Sequence, residues 1–142
     1  MGLFTKNTKV EALRGVPLFE GLSKKELSEI ANASEDLTFE PGRALCKEGR
    51  LAREFFVLID GTAEVTKNGK KIDTRSGGDF VGEIALIMHQ PRIATVTATT
   101  PVRCFVLTSR DFRRTLDDNP SIEPKIMRAL AERLVQLSGE SV

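Results

Sequence analysis

The chain holds one histidine, two cysteines and no apolar run near the ~20 residues a membrane helix needs. Each scarcity excludes something. A lone His89 leaves a histidine-built metal site without material. Cys46 and Cys104 each lie in a strand-like run, so they read as small buried hydrophobes in a reducing compartment, with a disulfide between them the lesser reading. Charge of one sign is also missing: 21 basic against 20 acidic residues leave +1. Nucleic-acid binders carry a clustered basic surplus, and none stands out here. The start has no secretory apolar core. Lys6 stands where a myristoylation signal needs Ser or Thr. Neither an internal repeat nor a low-complexity tract is visible. A cytoplasmic protein without membrane attachment is the expectation.

What is present suits a globular fold. The 142 residues favour one domain, 1–142, and 40% hydrophobic content is ordinary for a packed core. Residues 1–6 read as frayed, and Thr8 to Arg14 as one or two helical turns. Val16-Pro17-Leu18-Phe19 forms an apolar clip. Ser23 with Glu26 three residues on is a capping box, and Leu22 with Leu27 makes the hydrophobic staple. Leu27, Ile30 and Ala31 supply an inward face, and this helix should end near Ala33.

From Asp36 the period changes to that of strands. Leu37–Glu40, Ala44–Lys47, Phe55–Ile59, Ala63–Thr66, Lys71–Thr74, Ile93–Thr99 and Val102–Leu107 are the readable runs. Pro41-Gly42, Glu48-Gly49 and Asp60-Gly61 punctuate them, and Asn68-Gly69 predicts a primed hairpin turn. Short strands with glycine punctuation every ~8–12 residues favour a sandwich or barrel. Ser109 is a candidate cap for a turn or two through Phe112 and Leu116, broken by Asp117-Asp118-Asn119-Pro120. A last helix should begin near Ser121, since Pro124 fits only a first turn. Ile122, Ile126, Leu130, Leu134 and Leu137 fall on one drifting stripe, and Ser138-Gly139 ends it.

The stretch from Gly78 to Ala98 does not read as structure alone. Glu83 precedes the apolar run Ile84–Met88, which suits one short helical turn. A carboxylate beside such a run is costly to bury unless something pairs with it. Gly82 lets backbone approach closely or take positive φ. The first amides of the turn point toward Gly82, and helix N-termini attract anions. Arg92, after Pro91, can clamp the same anion with its planar fork. An anion between amides and an arginine, with a carboxylate near enough to accept from a hydroxyl, is the chemistry of a sugar phosphate.

The blocks Gly82-Glu83-Ile84-Ala85-Leu86 and Pro91-Arg92-Ile93-Ala94-Thr95-Val96, at this spacing, resemble the phosphate-binding cassette of the cyclic nucleotide-binding domain family. The resemblance runs from about Val10 to Leu137. It implies a mainly β fold with flanking helices: an eight-stranded β-roll (jelly roll) with N-terminal helices and two C-terminal helices. It implies ligand contacts at Gly82, Glu83, Ile84, Ala85, Arg92, Ile93 and Ala94. Arg92 would pair with the cyclic phosphate and Glu83 would accept from the ribose 2′-hydroxyl. Gly82, Ala85 and Ile93 would offer backbone amides. Relatives favouring cGMP often carry Thr or Ser at the Ile93 position, so cAMP is expected ahead of cGMP. Met88, His89 and Gln90 depart from common family choices and should only shape the loop. The last helix would lid the base, with Arg128, Leu130, Ala131 and Leu134 as candidates.

The function expected is a cyclic nucleotide sensor without catalysis, resident cofactor or metal. It would act on a protein partner or fused effector, with a homodimer through the last helix open. Besides a degenerate relative of the fold that binds no nucleotide, against which the intact Glu83 and Arg92 argue, two other readings compete. One is a fragment of a cAMP-responsive transcription regulator lacking its helix-turn-helix, since no DNA-reading element follows the last helix. The other is a metal-dependent cupin-like enzyme, weakened by the lone His89.

Overall fold

A computed structural model describes residues 6–138. Its centre is a pair of four-stranded antiparallel sheets. The strands are β1 (Glu35–Phe39), β2 (Ala44–Cys46), β3 (Glu54–Asp60), β4 (Thr62–Lys67), β5 (Lys70–Ser76), β6 (Phe80–Val81), β7 (Thr95–Ala98) and β8 (Val102–Thr108). One sheet runs β1-β8-β3-β6, the other β2-β7-β4-β5. This is the expected β-roll with flanking helices.

Why β3 reads as an unbroken apolar run follows from its place. Successive side chains of a strand point to opposite faces. Phe56 and Leu58 face the roll interior with Val81, Val96 and Cys104. Phe55 and Val57 face outward onto the helices with Leu13, Phe80, Phe112 and Ile126. Its neighbour β8 does the same, sending Cys104 and Val106 inward and Phe105 and Leu107 outward. A strand covered on both faces loses the polar alternation of a half-buried one. A bidentate pair, Arg103 to Asp36 at 3.1 and 2.8 Å, ties β8 to the edge strand β1. Between β4 and β5 the turn residues Asn68 and Gly69 both have positive φ, 52° and 77°, the primed geometry the sequence predicts.

Two strand expectations need correction. Ile93 and Ala94 lie outside β7, which begins at Thr95. They belong to an irregular segment held to the Gly49–Arg50 loop by the Gly49 N–H to Arg92 carbonyl bond (2.7 Å) and the Arg92 N–H to Arg50 carbonyl bond (2.9 Å). The eighth strand is β6, unread in the sequence because two residues between Gly78 and Gly82 are too few to show a period.

The helices are α1 (Lys6–Arg14), a 3₁₀ turn (Pro17–Phe19), α2 (Lys24–Ala33), α3 (Glu83–Ile87), α4 (Ser109–Asp118) and α5 (Ile122–Ser138). The first begins two residues before the Thr8 read from the sequence; Met1–Thr5 lie outside the described residues. The capping box is present in both directions, 3.1 Å from the Glu26 N–H to Ser23 Oγ and 2.8 Å from the Ser23 N–H to Glu26 Oε1. The cap of α4 is Thr108, not Ser109: its hydroxyl accepts from the Asp111 N–H at 3.1 Å, and Ser109 is already helical. Ile122, Ile126 and Leu130 are buried and Leu134 is half-buried. The Leu137 side chain and Gly139 fall outside the described residues. At the start of α5, Lys125 Nζ donates to the carbonyls of Pro17, Leu18 and Glu20 at 3.4, 3.5 and 3.1 Å, fastening the helix to the 3₁₀ turn.

Candidate ligand-binding site

The short helix α3 leaves β6 through Gly82, whose φ is +96°. A Cβ there would stand 2.8 Å from the Glu54 carbonyl oxygen and 2.8 Å from Arg92 Nη1, so both the φ and the space demand glycine. At its other end α3 is closed by His89 at φ 52° and by a bond from the Gln90 N–H to the Ala85 carbonyl at 3.0 Å. That pairing and the left-handed residue make a Schellman-type stop. His89 thus shapes the loop.

Glu83 and Arg92 both end up buried, at 1% and 7% exposure, and both line one cavity. Its walls are Gly82, Glu83, Ala85 and Arg92–Ala94 of the cassette, and Cys46, Val65, Ile72, Arg75 and Val96 from the β2-β7-β4-β5 sheet. Val81 of β6 and Arg133 of α5 complete it. Of the sequence-expected residues, Gly82, Glu83, Ala85, Arg92, Ile93 and Ala94 therefore meet at one place. Ile84 is held in the backbone of α3, and its side chain is not among those described.

The partners of the two charges are informative. Arg92 donates to the Gly82 carbonyl (2.9 Å) and the Glu54 carbonyl (2.6 Å). These bonds use two of its five N–H donors and aim the fork. Glu83 is paired, as a buried carboxylate must be, but with Arg133 rather than Arg92: Nη1 to Oε1 is 2.5 Å. Its second oxygen, Oε2, is buried with no hydrogen-bond partner. The Arg133 guanidinium also lies 4.5 Å from the Phe80 ring centre. The cavity left between these groups is narrow, about 60 Å³.

Residues 36–119 match the family described as "Cyclic nucleotide-binding domain". The chain belongs to that family. Among curated relatives, a cAMP-dependent protein kinase regulatory subunit of Yarrowia lipolytica is 38% identical over 73% of this chain, which is 28% of that protein. The chain thus spans under a third of that relative's length. The solved structure described as "cAMP bound PfPKA-R" superposes with a TM-score of 0.85 at 28% identity, over 96% of this chain and 48% of that one. A regulatory subunit from Trypanosoma cruzi, described as belonging to a cAMP-independent protein kinase A and bound to guanosine, superposes at 0.75 with 25% identity, over 94% of this chain and 50% of that one. Family membership therefore leaves the choice of base open.

Sequence reasoning missed Arg75 and Arg133. Of the four lid candidates, Arg128 and Ala131 are exposed and Leu130 is packed in the helix-side core. The α5 residue that reaches the cavity is Arg133. It stands three positions after Leu130 and seven after Ile126, so it shares their face of the helix. That spacing was a usable signal, hidden because a charge breaks an apolar stripe. Both cysteines are free and buried, with Cys46 in the cavity wall. Burial pushes the Cys46 thiol up to about 11 against the pull of Arg92, and Cys104 up to about 12. Among the described residues no group of His, Cys, Asp and Glu side chains is placed to hold a metal ion, and no helix is long and apolar enough to cross a membrane.

Proposed function

We propose that this domain is a non-catalytic cytoplasmic sensor that takes cAMP into the cavity and reports its presence to a protein partner. The observation that carries the reading is the pair of buried, oppositely charged side chains on one cavity, with Glu83 Oε2 buried and unpartnered. A phosphate site repels a carboxylate unless a hydroxyl intervenes, and a ribose cyclic phosphate supplies both groups. Arg92, with the backbone from Gly82 to Ala85 and at Ile93 and Ala94, receives the phosphate. Glu83 Oε2 accepts from the 2′-hydroxyl. The relatives' names, regulatory subunits of a cAMP-dependent kinase, support both the ligand and the regulatory role. Arg133, on α5 and bonded to Glu83, is the route by which occupancy reaches the last helix.

Calorimetric titration with cAMP tests the assignment. A charge-assisted hydrogen bond is worth ~1.5–3 kcal/mol, so Arg92→Leu should weaken binding by about ten- to a hundredfold. Equal affinities in parent and variant remove Arg92 from the phosphate. With 2′-deoxy-cAMP the parent should lose affinity, and Glu83→Ala should no longer tell the two ligands apart.

A further inference from the structure

Where the cassette joins β7 the strand ladder runs out. β4 and β7 pair from Ala63 with Ala98 to Thr66 with Thr95, and the pairing stops there. By that register the next residue of β4, Lys67, would stand opposite Ala94. Ile93 and Ala94 lie in bends instead, and among the described residues neither of their N–H groups has a hydrogen-bond acceptor. Backbone groups released from a ladder need other partners.

Lys67 supplies one. Its half-buried side chain donates from Nζ to the Ile93 carbonyl at 3.2 Å. The hairpin end that carries it is itself tied down. The Asn68 N–H donates to Glu48 Oε1 at 3.0 Å, and the Glu48 N–H donates to Thr95 Oγ1 at 3.0 Å. Lys67 thus reaches Ile93 from a fixed base.

The peptide plane carries that contact to the next amide. In a trans peptide the carbonyl and the N–H of the following residue point in opposite directions, and no cis bond occurs among the described residues. Ile93 and Ala94 line the cavity, whereas Lys67 stands outside its wall. A carbonyl held toward Lys67 turns the Ala94 N–H the other way, to the cavity side. Arg92, two residues before Ala94, borders the same space.

Resting on the proposed cyclic nucleotide reading, we propose that Lys67 is a positioning residue for phosphate capture. It pins the Ile93 carbonyl so that the Ala94 N–H is presented to a phosphate oxygen beside Arg92. It acts through the backbone and touches no atom of the ligand.

Calorimetry and amide NMR with cAMP, on the parent and on Lys67→Met, test this. Methionine keeps an unbranched stem and loses the donor. With one hydrogen bond's worth of positioning gone, Lys67→Met should bind cAMP about three- to tenfold more weakly. The ratio of cAMP to 2′-deoxy-cAMP affinity, set at Glu83, should stay that of the parent. In the parent the Ala94 amide proton should move downfield on saturation with cAMP, and in Lys67→Met that move should shrink. Equal cAMP affinity in the two proteins overturns the proposal. So does a weaker Lys67→Met whose Ala94 amide still moves as far as the parent's, since Lys67 would then be only a charge at a distance. Both results leave Arg92 and the cassette reading standing. A parent that binds no cAMP overturns that reading and the role of Lys67 with it.

Discussion

Cys46 and Arg92 meet at the cavity wall, and the thiol shows how strongly this interior resists charge. Burial raises Cys46 to about 11 even with a guanidinium nearby, and Cys104 to about 12, from an ordinary value of 9.0. Below pH 9 both thiols are protonated whether the chain is folded or not, and they leave stability unchanged. Above pH 9 the unfolded thiols ionise while the native ones stay neutral. The unfolded state then gains ~1.4 kcal/mol per pH unit per thiol until the native groups also titrate. The stability of Cys46→Ala/Cys104→Ala relative to the parent should therefore be constant to pH 9 and rise between pH 9 and 11. Urea midpoints across that range measure it, and a difference that stays flat would show the thiols are not held neutral.

At the scale of the element, α5 is fixed at two points: Lys125 on the 3₁₀ carbonyls and Arg133 on Glu83. Removing one partner of a buried ion pair costs ~3–5 kcal/mol, and the 15% exposed side chain of Arg133 puts this pair at or below the lower end. Arg133→Met keeps the length and the contact with Phe80 but leaves Glu83 without its cation. Amide exchange in α5 after Ala129 should speed up at least tenfold, while amides of β3 and β8 keep their protection relative to global unfolding. Unchanged α5 protection would mean that apolar packing alone holds the helix to the cassette. The same element marks the limit of what was legible beforehand. Ser23 and Glu26, the Asn68-Gly69 turn, the Pro124 start of α5 and the cassette's glycine are local signals, each set by bonds within a few residues. Glu83 and Arg92 were legible through their spacing, which a single loop enforces. Arg133 is 50 positions from Glu83, and Arg75 looks like an ordinary surface charge until β4 and β7 fold beside it. Long-range pairing leaves no period in the chain, and a two-residue strand such as β6 leaves none either.

For the whole molecule, the arrangement of cores decides how it comes apart. The roll interior and the helix-side core are separate clusters, yet β3 and β8 give alternate side chains to both. Phe55 stacks on Phe112 of α4 at 4.4 Å and meets Phe80 in a tilted pair at 5.7 Å, while its neighbour Phe56 meets Phe39 of the same sheet edge to face at 6.1 Å. Melting either cluster alone would leave half of each shared strand exposed and its ladder unsupported. One cooperative transition follows, with equal calorimetric and van't Hoff enthalpies. Phe55→Ala and Phe56→Ala are the discriminating pair. Truncating a buried Phe costs ~3–5 kcal/mol, and at this chain length each kcal/mol lowers Tm by about 3 °C. Each variant should therefore melt roughly 10 °C lower, still as one peak by scanning calorimetry, whichever cluster it damages. A split peak in Phe55→Ala, with the helices melting first, would show that the helices can detach from an intact roll. The coupling between cavity and α5 would then rest on Arg133 and Lys125 alone.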